Sequence, residues 1–204
     1  MSYTLDAAAA KKANSSGRIT ETGAYIGVFT RAESVTSKQG TKGIEFTFVD
    51  DLENTADFLS LWTVKQNGET IYGYNVLMSL MACMKTRTIN ETEGIVPKYD
   101  SVAKQVINVK ALLFKELMNK RIGVLLQAEE YKSNNGDIKT RMTIAGFFDP
   151  QTRLVAKEIL EQKSQPELLQ KMIDKMPSIK KLPGNQTTSH SSSTPDIADD
   201  DIPF

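Results

Sequence analysis

Residues 44–49 read Ile-Glu-Phe-Thr-Phe-Val. Side chains alternate across a strand with a period of two, so Ile44, Phe46 and Phe48 share one face and Glu45 and Thr47 take the other. A strand that buries one face and wets the other belongs to antiparallel sheet. The flanking segments agree. Residues 24–35 are β-branched and aromatic, with Ile26 and Val28 opposed to Tyr25 and Phe29, and the loop at 37–43 (SKQGTKG) joins them to the central strand. Residues 50–54 turn the chain into a third strand, 56–65, which stops at Gln66-Asn67-Gly68-Glu69, where Asn-Gly is a strong turn signal.

Beyond that turn the period changes. Asn75 can cap a helix running to about Thr86, with Val76, Leu77, Leu80, Met81 and Met84 on one stripe. Residues 90–100, which include Pro97, read as a loop. Residues 104–109 are either a minor strand or the start of a helical piece at 112–119. A fourth main strand (RIGVLLQAEEY, 121–131) and a fifth (KTRMTIAGFF, 139–148) flank the loop SNNGD. Residues 154–176 are helical in composition but interrupted at Pro166, and residues 1–22 form an arm that orders on the body or on a neighbouring subunit.

Three antiparallel strands, a helix and a closing hairpin are the element order of an OB-fold, a five-stranded antiparallel barrel. The fold expected is therefore mainly β, with the helix between strands three and four. The expected divisions are an arm at 1–22, the barrel at 23–150, a helical extension at 151–176 and a disordered acidic tail at 177–204. RIGVLLQAEEY, a short loop and then MTIAGFFDP also resemble a family of phage-encoded single-stranded DNA-binding proteins with OB-folds, a likeness that spans 23–150.

The tail carries a second likeness. Residues 186–194 (QTTSHSSST) hold no apolar side chain and have nothing to bury against the entropy of ordering. After them come Asp199, Asp200, Asp201, Ile202, Pro203 and Phe204. Three carboxylates around one ring suit a partner with an apolar hole rimmed by Lys or Arg. DDDIPF after a polar linker closely resembles the acidic tip of bacterial single-stranded DNA-binding proteins. That resemblance implies recruitment of replication, recombination and repair proteins.

Charge is compatible with such a division. The chain has 25 basic and 25 acidic residues, but no Lys or Arg follows Lys181 while Asp196, Asp199, Asp200 and Asp201 do; setting those four aside leaves 25 basic against 21 acidic groups. Single-strand binding needs cations along the phosphates and rings beneath the bases. The first loop offers Lys38 and Lys42; the second offers Lys132, bordered by Tyr131 and Lys139. On the third strand Leu59, Leu61 and Thr63 form the natural core face, which turns Phe58 and Trp62 outward. The alternative is that Trp62 packs inward as a large core residue. Lys65, Arg121 and Arg141 extend the cationic track.

Other classes find little support. Cys83 is alone, which rules out an intrachain disulfide or a cysteine zinc site, and the only histidine, His190, lies in the tail. No phosphate-cradling GxxxxGK[ST] loop occurs. Asp50, Asp51 and Glu53 could hold a magnesium ion, but a turn after a strand is where solvated acids ordinarily lie. No enzyme activity, cofactor or metal is expected. The N-terminus lacks a hydrophobic signal core, and the longest apolar-looking run, 76–84, is too short to span a bilayer. The expected setting is a bacterial host cytoplasm, with single-stranded DNA and tip-binding proteins as partners, no membrane, and homo-oligomerisation left open. Two rival functions remain: an adaptor that mimics the tip of the host protein without binding DNA, and a strand-annealing recombinase.

Overall fold

A computed structural model describes residues 4–5, 17–100, 102–133 and 135–182. The alanine-rich part of the arm at 6–16, the polar linker and the DDDIPF tip lie outside the described residues.

The chain is mainly β and antiparallel. β1 (Gly23–Thr36), β2 (Lys42–Asp50) and β3 (Thr55–Val64) form a meander, followed by α1 (Tyr72–Cys83). β4 (Thr92–Asp100) and β5 (Gln105–Leu113) make a hairpin that ends in a single 3-10 turn, Lys115–Leu117. β6 (Arg121–Lys132) and β7 (Ile138–Phe148) make a second hairpin, and α2 (Ala156–Leu160) and α3 (Leu168–Lys175) follow. Among the described residues seven strands therefore replace the five expected. Residues 92–100 are a strand rather than a loop, and the helical piece expected at 112–119 shrinks to three residues.

β1 organises the sheet because it is long and bent. A bulge at Thr30 divides it: residues 23–28 pair with β6, and Glu33 pairs with Leu113 of β5. A bulge raises local twist, which lets one strand serve two directions of sheet. From β1 the order runs through β2 to β3 on one side and through β6 to β7 on the other. β3 and β7 both run parallel to β1. They lie beside each other, but no ladder joins them among the described residues, so the sheet is not closed.

Inside, Phe29 packs against Phe46, Phe48 and Phe147, with ring centroids 4.4, 5.6 and 6.2 Å apart. Ile44, Leu59, Leu61, Leu80, Ile122 and Leu126 complete this core. β6 is buried on both faces, which accounts for its nearly unbroken apolar run. Ile122, Val124 and Leu126 face the main core, whereas Leu125 joins Phe148, Val155 and Leu169 in a smaller one roofed by the C-terminal helices.

Two local differences have physical causes. The helix begins at Tyr72 with Ile71 as N-cap, not at Asn75. After the turn at 65–69 the chain doubles back on β3, where Val64 bridges Thr70 and Ile71 N–H donates to the Thr63 carbonyl (2.9 Å), and the helix starts directly from there. Gly73 allows this, because a Cβ there would sit 1.9 Å from the Trp62 carbonyl oxygen. The β4–β5 hairpin curls over β1. Lys98 hydrogen-bonds Glu33, although it lies six residues along β4 from Thr92, about 20 Å of extended strand. The hairpin thereby buries Glu33, which also lies 3.8 Å from Arg31.

Candidate nucleic-acid interface

At the open seam between β3 and β7 an exposed ring and a half-buried one meet cations. In the β2–β3 ladder Phe46 faces Leu59 and Phe48 faces Ala56, so Asp57 and Phe58 together stand opposite Thr47. This bulge gives Phe58 a φ of +58° and places two consecutive side chains on the outer face between buried Ala56 and Leu59. Phe58 is 67% exposed.

Across the seam, the β6–β7 register sets Tyr131 opposite Lys139 and Glu129 opposite Arg141. Arg141 stacks over the Tyr131 ring, 5.4 Å from its centroid, and lies 3.5 Å from Glu129. The end of the N-terminal arm supplies a third wall. Ile19 N–H donates to the Thr55 carbonyl and Thr55 N–H to the Gly17 carbonyl, both at 2.8 Å, which lays Arg18 along the β3 edge. Ile19 is buried beneath. The result is a cleft of about 740 Å³ lined by Arg18, Asp57, Phe58, Tyr131 and Arg141, with Ala56 and Met142 among its apolar residues. Nearby, Gln127 donates to Thr22 Oγ1 and the Pro177 carbonyl (both 2.8 Å), which ties the residues before β1 and those after α3 to β6.

The other expected DNA-binding residues divide into groups. Lys132 and Lys139 are exposed at the β6–β7 tip beside Tyr131. Trp62 lies further along the outer face of β3, half-buried over Gly43, so it is neither a core residue nor an open platform. Lys42 is its neighbour in the ladder, opposite Val64; Lys38 is exposed on the β1–β2 loop. Lys65 lines a shallow cleft with Gln39 and Thr41, and is paired with Glu69 at 2.9 Å. Arg121 is not in the seam cleft and is ion-paired with Asp51. Arg31, another potential cation of the track, is taken up by Glu45. Asp199, Asp200, Asp201, Ile202, Pro203 and Phe204 lie outside the described residues.

Arg18 and Asp57 were missing from the expected site. Arg18 reads as part of an arm, and Asp57 joins Phe58 on one face only because of the bulge. Neither had a local signal, although the isolated apolar Ile19 within a polar arm was a hint that the arm docks.

The remaining reactive groups are accounted for structurally. Asp50 accepts hydrogen bonds from Leu52 N–H, Asn54 N–H and the Asn54 side chain, which makes it the organiser of the β2–β3 turn. Burial, aided by the charge of Asp149, pushes the Cys83 thiol up to about 12, so no thiolate forms near neutral pH. Among the described residues no cluster of His, Cys, Asp and Glu is arranged to hold a metal ion, and no helix is long and apolar enough to cross a membrane. Compared with known proteins, the chain matches no family model and no curated protein sequence.

Proposed function

We propose that this protein binds single-stranded DNA through an OB-type barrel opened along the β3–β7 seam, and recruits replication, recombination and repair proteins through residues 199–204. The setting proposed is phage DNA replication or recombination in a bacterial cytoplasm. The observation that carries the reading is the cleft, where exposed Phe58 and the Tyr131–Arg141 stack face each other across an open sheet edge. Rings of this kind accept any base, and Arg18, Lys132 and Lys139 stand where phosphates would pass. The strand order β3-β2-β1-β6-β7, with parallel edges facing each other, supports the barrel assignment. The tip's role rests on its resemblance alone.

Titration with poly-dT tests the reading. Binding that weakens steeply with salt, and that quenches the single tryptophan Trp62, is expected. No binding at low salt would overturn it in favour of an adaptor that presents the tip without holding DNA.

A further inference from the structure

Asp57 is out of place in a surface that only tracks phosphates. It lines the cleft, its side chain is 31% exposed, and no hydrogen bond reaches its carboxylate among the described residues. The cation paired with it among the described residues, Arg18 Nη2, is 3.8 Å away, too far for a hydrogen bond. A carboxylate beside a polyanion is repulsive unless it meets something other than phosphate. The base edge is the alternative, because a carboxylate is an acceptor on both oxygens and unpaired bases leave their Watson–Crick donors uncovered.

The four bases present different edges to such a group. Guanine alone has two adjacent donors, N1–H and the N2 amino group, which match both oxygens of one carboxylate. Next to them its O6 accepts, which suits a guanidinium placed as Arg18 is. Thymine has one N–H between two carbonyls, and cytosine and adenine each place a single amino group beside a ring acceptor. The bulge that turns Asp57 outward also sets it next to the Phe58 ring, so stacking and edge contact are available to the same base.

We propose that the seam cleft is a guanine seat: Phe58 stacks on the base, Asp57 accepts from N1–H and the N2 amino group, and Arg18 donates to O6. This rests on the single-stranded DNA reading and adds to it a preference at one position of an otherwise unselective strand. The test compares oligo-dT with the same oligonucleotide carrying one dG, or one deoxyinosine, which keeps N1–H and O6 but lacks the amino group. One dG should tighten binding by about fivefold or more over oligo-dT, and deoxyinosine should lose most of that gain. Asp57→Ala should abolish the dG gain, so that the dG-bearing strand binds this variant no more tightly than plain oligo-dT does. Equal binding of the dG and deoxyinosine strands, or a dG gain that survives Asp57→Ala, would overturn the seat and leave the DNA reading intact. Failure of every strand to bind at low salt would overturn both.

Discussion

Gly43 stands opposite Trp62 in the β2–β3 ladder with no room for a side chain: a Cβ there would lie 2.9 Å from the indole Cε3 and 2.6 Å from the Leu61 carbonyl oxygen. The indole thus lies along the backbone of β2 instead of standing up from the sheet. Trp62 is half-buried, which suits a ring that reports on binding without being the main stacking platform.

Gly43→Ala should therefore destabilise the fold by about 1–3 kcal/mol, since one of the clashing atoms is backbone and cannot rotate away. Because Trp62 is the only tryptophan, its emission isolates the site. Denaturant unfolding followed by that emission should show a lower midpoint together with a shifted native spectrum. An unchanged midpoint would mean that the indole does not lie against Gly43.

Phe58 allows backbone and ring to be separated. At φ +58° any residue with a Cβ is strained, by roughly 1 kcal/mol, and glycine is not. With its ring mostly in solvent, Phe58 has little packing to lose. Phe58→Gly should match or exceed the stability of Phe58→Ala, while both lose affinity for single-stranded DNA by about five- to a hundredfold. Thermal unfolding alongside an oligo-dT titration reads the two effects independently. Unaltered affinity in both variants would remove Phe58 from the interface.

These positions mark what the sequence could and could not convey. Ile44, Phe46 and Phe48 are buried, as their period of two requires, and the outward placement of Phe58 follows from Leu59 and Leu61. The β4–β5 hairpin was hidden because Pro97 reads as a loop residue. On the outer strand of the sheet, however, proline can turn its missing N–H away from the ladder, and Pro97 sits opposite Asn108 at such an edge. The seam could not be read at all. It depends on which strands fail to pair, and Arg18 reaches Asp57 only through contacts 36 or more residues apart in sequence.

One ion pair ties the far end of that hairpin to β1. Glu33 is buried, with Lys98 as its hydrogen-bonded partner and Arg31 Nη1 at 3.8 Å. Lys98→Ala would leave a buried carboxylate short of a partner, which costs far more than losing a surface pair. Hydrogen exchange should then speed up across residues 92–113, with β2 and β3 nearly unchanged. Uniform acceleration over the whole chain would mean that Lys98 supports global stability and not the hairpin's position.

Acid sensitivity should originate at the C-terminal helices. Glu158 is fully buried, and its carboxylate accepts from Val155 N–H at 3.0 Å, Glu167 N–H at 2.7 Å and Leu168 N–H at 2.8 Å, tying the start of α2 to the start of α3. Burial alone would raise its pKa. The three N–H donors, helped by Lys163, outweigh that and hold the group below the ordinary value of 4.5. A depressed folded-state pKa means that stability is gained above about 4.5 and lost as the pH falls through the lower, folded value. Asp149 acts in the same sense: burial opposes its charge, but the Thr152 and Gln151 N–H groups and the Lys85 charge prevail. Glu158→Gln keeps the size but offers one acceptor oxygen where two are used, and should cost about 3 kcal/mol at neutral pH. It should also flatten the decline in melting temperature between neutral pH and about pH 3, leaving a smaller slope from Asp149. A variant that parallels the native curve at every pH would show that Glu158 titrates alike in the folded and unfolded chain, and that its three hydrogen bonds do not set the acid limit of the fold.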